Sequence, residues 1–284
     1  MSGRKSTDRQ SRVLAMLEDY ITDGFASSNV PAASGLDESP DSAPDHSAPG
    51  DYPSGDYGTG DHGSAGHLQT GGAQHDEEHI HPAHHPPIEA ADLPPDDQRT
   101  RELASLAEKI RGCTACPLSA VRTNAVPGYG AIDADVMVIG EGPGADEDRR
   151  GEPFVGRSGN YLDKWLAAID IYRDRNAFIA NIVKCRPPQN RDPLPDERST
   201  CFPYLERQIE LVRPKTILTV GRISSRVMTG VDASMGELRK GEYDFRGIPV
   251  IATYHPSAVL RNENLRRPVW EDLKRLRSII TGEG

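Results

Sequence analysis

At 284 residues the chain holds one or two domains, and its formal net charge of −10 is unevenly placed: residues 1–98 carry 18 acidic and 4 basic side chains, residues 99–284 carry 25 acidic and 29 basic. The first part is therefore strongly acidic and the second mildly basic, which permits a polyanionic partner without requiring one. No run of 18 apolar residues could span a membrane, and "VLAMLEDYITDGF" is broken by Glu18 and Asp19, unlike a secretory core; a cytoplasmic protein is the expectation.

In chain order, residues 7–23 place Val13, Leu14, Leu17 and Ile21 at helical spacing, one short amphipathic helix. From Phe25 to Asp97 the composition is Gly, Ser, Pro, Asp, Ala and His, too poor in large apolar residues to offset ordering entropy, so residues 1–98 are expected to form a mostly disordered tail. Eight of the nine histidines lie there, read as solvated low complexity rather than as a metal site. From Arg99 onward helical and strand patterns alternate. "RELASLAEKIRG" predicts a helix, "DVMVIG" (135–140) a strand, "SGNYLDKWLAAI" a helix and "AFIANIVKC" (177–185) a strand. "PDERSTCFPYLERQIELV" is mostly helical, with Pro203 expected to distort it or mark its start. "TILTVG" (216–221) is a strand, "RISSRVMTG" a helix, "IPVIATY" (248–254) a strand and "PVWEDLKRLRSII" a last helix. This order predicts one α/β domain over 99–284: three layers, α/β/α, around a central four-stranded parallel sheet. Ligands of such sheets bind beyond the carboxyl ends of the strands, where "GEGPG", "NIVKC", "VGR" and "YHPS" fall.

The four cysteines, Cys113, Cys116, Cys185 and Cys201, all lie in this domain. A cytosolic disulfide pair is not expected, and four thiols with one C-x-x-C pair point to a tetrathiolate metal site. Structural zinc usually takes two short-spaced pairs, whereas Cys185 and Cys201 are 16 positions apart. The spacing favours a [4Fe–4S] cluster and leaves zinc open. Cys185 is expected to close the second strand, with the cluster pinning the irregular "RPPQNRDP" loop.

After the first strand, Gly140, Gly142 and Ala145 formally match a dinucleotide fingerprint. Pro143 stiffens the turn, no helix is expected to start at once, and the second strand ends without an acidic residue for a ribose, so that reading is rejected. Taken alone, Phe154 reads as a core aromatic, Asn181 as a strand-end turn residue, and His255, the domain's sole histidine, as structural.

"GEGPGADED…GEPFVG", "NIVKCRPP" and "YHPSAVLR", with the cysteines at this spacing, resemble the family 4 uracil-DNA glycosylases, the iron–sulfur branch of that superfamily. The resemblance covers about residues 99–284. It implies a four-stranded α/β/α fold, a [4Fe–4S] cluster on Cys113, Cys116, Cys185 and Cys201, and hydrolysis of the N-glycosidic bond of uracil in DNA, the opening step of base excision repair. It implies that Phe154 stacks on a flipped base, Asn181 reads its O4/N3 edge and His255 donates to O2 as charge builds. Gly142 stands where the better-known branch carries a water-activating aspartate. Glu141 or Glu147 is then expected to orient water or balance the sugar cation, or Glu147 to wall off the thymine methyl.

Arg261, Arg266 and Arg267, with Leu265 as a wedge, suit phosphate contacts and a kinked duplex, and Lys184, Arg186 and Arg191 flank the cluster loop. The expected partner is uracil-containing DNA, single- or double-stranded, bound by a monomer; no partner is assigned to the tail. Two alternatives remain: a non-catalytic or covalently trapping relative, and a metal-stabilised repair interaction module. A trapping offshoot carries a histidine in the loop after the second strand, where this chain reads "CRPPQNRDP" without one.

Overall fold

The computed structural model describes residues 96–283. The helix expected at 7–23 lies outside the described residues, as does the expected tail up to residue 95. The first helix, α1, runs Asp96–Arg111 and so begins two residues before the boundary drawn at 98.

The remaining elements are β1 (Tyr129–Gly130), β2 (Val136–Gly140), α2 (Ala145–Arg150), α3 (Arg157–Ala168), β3 (Ala177–Asn181), α4 (Pro195–Val212), β4 (Thr216–Val220), α5 (Arg222–Thr229), α6 (Met235–Leu238), β5 (Tyr243–Phe245), β6 (Ile248–Thr253), α7 (Pro256–Arg261) and α8 (Arg266–Thr281). They form a mixed α/β structure around one sheet of six strands, in the order β1-β3-β2-β4-β6-β5. The four expected strands are its parallel centre, with Val138 beside both Ile179 and Leu218, and Leu218 beside Ile251. The expected count of four is corrected by two antiparallel edge strands, β1 on β3 and β5 on β6. Both are too short to show a two-residue period. The second had a signal nonetheless: Arg246 and Gly247 take φ of 54° and 85°, the paired positive angles of a tight hairpin turn.

Two boundaries also differ. β3 stops at Asn181, so Cys185 does not close it but lies four residues on. α2 does begin directly after "GEGPG", which the sequence reading denied. α4 covers the whole expected segment, with Pro203 inside it rather than at its start; it begins at Pro195, where the Glu197 carboxylate accepts from the Leu194 amide at 2.8 Å and opens the helix.

Each central strand buries both faces, the reason these runs are continuously apolar rather than alternating. Met137, Ile139, Phe178 and Ile217 pack under Leu106 and Ile110 of α1, Leu205 and Ile209 of α4, and Met228 of α5. Val136, Val138, Ile179 and Leu218 pack on the other side against Leu162 and Trp165 of α3 and Trp270 and Leu273 of α8. Two apolar layers thus hold the sheet between helices, and the carboxyl ends of all four parallel strands lie on one side.

Candidate active site

At that side one cavity receives residues from every parallel strand's end: Glu141 and Gly142 after β2, Asn181 from β3, Gly221 after β4 and His255 after β6. Phe154 joins them from the loop between α2 and α3. The structure therefore brings together Glu141, Gly142, Glu147, Phe154, Asn181, His255 and Arg261.

Asn181 ends β3, paired in register with Gly140. It is only 1% exposed. Neither Nδ2 nor Oδ1 has a hydrogen-bond partner among the described residues. Burying a bare amide costs free energy, so the group calls for a ligand that supplies both a donor and an acceptor. Glycine at 140 makes its placement feasible: a Cβ there would stand 2.4 Å from Asn181 Oδ1 and 2.7 Å from the Phe154 ring.

Phe154 is buried and holds a left-handed backbone, φ 53°, unfavourable for a bulky residue. The surroundings enforce it. Arg173 donates from Nη1 to the Pro153 carbonyl at 3.1 Å and from Nη2 to the Phe154 carbonyl at 3.0 Å, while Nε and the same Nη2 donate to Asp163 Oδ1 at 3.0 and 2.6 Å. Gly159 of α3 sits so close that a Cβ would overlap the Phe154 carbonyl oxygen at 1.8 Å. The ring is thus turned into the cavity, its centroid 5.8 Å from that of His255.

His255 caps α7. The Ser257 amide donates to Nδ1 at 3.2 Å, and the Ser257 hydroxyl lies 2.8 Å from the same atom. Nδ1 is therefore an acceptor, and the neutral ring carries its proton on Nε2. Burial, then the Arg261 guanidinium, lower the imidazole to about 4 against the opposing pull of Glu147. At neutral pH the ring is an uncharged donor.

The two glutamates differ. Glu147 Oε1 accepts from the Val155 and Gly156 amides at 2.9 and 3.0 Å, and Oε2 from the Gly144 amide at 3.1 Å. It ties the "GEGPG" loop to the "PFVG" loop, and both oxygens are engaged. Glu141 is raised to about 7, chiefly by burial and next by Asp192, with Arg222 and Arg198 opposing. Asp192 itself pairs with Arg222 at 2.8 Å across the cavity rim.

The basic residues divide similarly. Arg261 and Arg267 are exposed. Arg266 is half-buried, pairs with Glu263 at 2.5 Å and leaves Nε buried without a partner among the described residues. Leu265 packs against the α3–α8 layer. Arg191 is held by Glu197 through bonds of 2.8 and 2.6 Å, and Arg186 donates to Asn190 at 2.8 Å. Lys184, which flanks the cluster loop as expected, is fully buried and so out of reach of a phosphate. Burial lowers its ammonium to about 8. Asp192, Arg222, Arg157 and Ser257 also line the cavity and were not singled out from sequence. The signal for Arg222 was its place in "VGR", directly beyond β4.

A separate small cavity is lined by all four cysteines with Arg122, Lys184 and Tyr204. Burial pushes the Cys185 thiol up, and that of Cys201 to about 11. Arg122 donates to Cys185 Sγ at 2.8 Å and the Lys184 amide to Cys201 Sγ at 3.3 Å. These donors favour the thiolate over the thiol. Among the described residues no three His, Cys, Asp or Glu side chains converge closely enough to hold a single metal ion. No described helix is long and apolar enough to cross a membrane.

A crevice built from the carboxyl ends of parallel strands, with an unpartnered amide, an aromatic ring and a neutral imidazole inside it, defines a site for a planar polar ligand. The sequence model of the Uracil DNA glycosylase superfamily matches residues 127–274. A type-4 uracil-DNA glycosylase of Sulfurisphaera tokodaii is 42% identical over 186 residues, 62% of this chain and 84% of its own length. A type-4 uracil-DNA glycosylase of Thermotoga maritima is 42% identical over 191 residues, 65% of this chain and 99% of its own. A type-5 uracil-DNA glycosylase of Pyrobaculum aerophilum is 34% identical over 164 residues, 52% of this chain and 71% of its own. The chain belongs to the uracil-DNA glycosylase superfamily and, within it, to the type-4 branch.

Proposed function

We infer that the protein excises uracil from DNA by hydrolysing its N-glycosidic bond, a hydrolase that opens base excision repair. The observation that carries this reading is the unpartnered Asn181 amide, buried at the back of a cavity that Phe154 and His255 also line. Uracil offers the matching edge: N3–H for Oδ1 and O4 for Nδ2. Cytosine offers an acceptor at N3 and a donor at N4, the reverse pattern.

A base held in this cavity has left the duplex stack, and Phe154 supplies the replacement stacking surface. As the bond to the sugar breaks, negative charge collects on the uracil ring. The Nε2–H of His255 meets that charge at O2. A neutral donor suits this task because it binds the uncharged base weakly and the anion strongly. Glu141, part-buried beside Asp192, orients or deprotonates the attacking water. Glu147 fixes the two loops that bear Gly142 and Phe154, and its charge offsets the sugar cation. Gly142 leaves the wall flush. Arg261 and Arg267 hold phosphates, Arg266 braces the turn before α8, and Leu265 supports it from the apolar side.

The four thiols fit a [4Fe–4S] cluster. A single zinc ion requires every sulfur within about 2.3 Å of one point. A cluster gives each thiolate its own iron and so suits four cysteines spread around one cavity. Cys113, Cys116, Cys185 and Cys201 would hold it, and its contribution is structural, joining the chain after α1 to the loop and helix that follow β3. Catalysis is assigned to the domain over 99–284, which acts as a monomer on uracil in single- or double-stranded DNA.

The test is purified protein offered oligonucleotides bearing uracil, hypoxanthine or thymine, with iron measured on the same sample. About four irons per chain and alkali-labile sites at uracil, with none at thymine, are expected. Iron-loaded protein that leaves uracil in place overturns the proposal, and active protein with one zinc overturns the cluster.

A further inference from the structure

Lys184 is a buried cation, 1% exposed. Its Nζ donates to the Asn181 carbonyl at 2.8 Å and to Gln208 Oε1 at 2.6 Å. Gln208 Nε2 donates in turn to the Pro127 carbonyl at 2.6 Å. An ammonium this deep is costly, and an apolar side chain of similar length would fill the space without that cost. Something must be gained by the charge.

What it holds is the last peptide of β3. Beyond Asn181 the chain bends, and the next two amides, of Ile182 and Val183, turn to the Gly140 and Glu141 carbonyls. The Asn181 carbonyl meets the ammonium. The side chain of the same residue has no hydrogen bond among the described residues to fix its own plane. Its position therefore depends on where its backbone is anchored, with the Phe154 ring and the Gly140 backbone as close neighbours.

We propose that Lys184 is a positioning residue: through the Asn181 carbonyl it sets the Asn181 amide at the angle that meets the pyrimidine edge. This rests on the reading of Asn181 given above. Displacing a recognition group by a fraction of an ångström costs about tenfold or more in rate.

The test is a double-mutant cycle in single-turnover excision. Lys184→Met keeps the stem and removes the charge. It should slow excision about tenfold or more while leaving unchanged both the affinity for a duplex with an abasic site, which has no base to read, and the visible absorbance of the cluster. In an Asn181→Ala background the same substitution should cost almost nothing further. A Lys184→Met protein at the wild-type rate, or one whose loss multiplies in full with that of Asn181→Ala, overturns the proposal. If Lys184→Met does not fold, Gln208→Met takes one acceptor from the ammonium without touching the cavity, and the same non-additive pattern, smaller in size, is expected; full additivity there overturns it equally. Asn181→Ala at the wild-type rate would overturn the role of Asn181 itself, and that of Lys184 with it.

Discussion

The role proposed for His255 depends on the ring being neutral. Burial and Arg261 hold it near 4, so its Nε2 keeps one proton through the physiological range and offers it to an anion that exists only as the bond breaks. Removing one such donor typically costs about 10²–10³ in rate. His255→Ala should lower single-turnover excision by about that factor with DNA affinity nearly unchanged; a wild-type rate with chemistry limiting would contradict the role. In the proposed mechanism Glu141 carries the pH dependence. Burial, helped by Asp192, keeps a proton on its carboxyl below about pH 7, and only the ionised form can draw a proton from water. Excision should therefore rise as pH passes about 7, and Glu141→Gln should be slower and flat across that window. At this scale the sequence was legible in part. The family resemblance pointed to Phe154, Asn181 and His255, whereas each residue taken alone read as structural. Two of the contacts around them cross long stretches of chain: Arg173 donates to the Phe154 carbonyl from 19 residues on, and Asn181 lies beside Gly140 across the β2–β3 pair. No local pattern reveals a contact made by the fold.

At the scale of elements, β2 and β3 act as a pair. Their last residues, Gly140 and Asn181, lie side by side, and the Phe154 ring closes over them. A methyl group at 140 must displace the amide, the ring or both. Gly140→Ala should lower excision at least about a hundredfold, destabilise the fold by about 1–3 kcal/mol as overpacking does, and spare binding to abasic-site DNA. Retained excision would show that the close approach is dispensable. The central strands were legible because both of their faces are buried and their apolar runs are continuous. β1 and β5, with two and three residues, carry no period to read. The end of β3 was misplaced because "NIVKC" continues the apolar run, whereas the chain turns at Asn181 to bury Lys184 and bring Cys185 and Cys201 to the thiol cavity.

For the whole molecule, charge and site are separated along the chain. The acidic residues of 1–98 outnumber the basic by 14, and every residue placed in the cavity lies downstream. A segment of that charge repels phosphate most strongly when salt is low. Deleting residues 1–95 should leave excision from short oligonucleotides nearly intact and tighten DNA binding at low salt, an effect that fades as salt rises. A truncated protein that keeps its iron and its fold but loses activity would contradict the domain boundary. The central claim concerns the fate of the base. The loop after β3 carries no histidine to capture the sugar, and the cavity offers Glu141 for water. The most direct measurement is chromatography of the products from excess uracil-containing DNA. The account predicts several equivalents of free uracil per chain, with abasic DNA that runs free of protein; a single equivalent accompanied by a covalent protein–DNA band, or none at all, would contradict it.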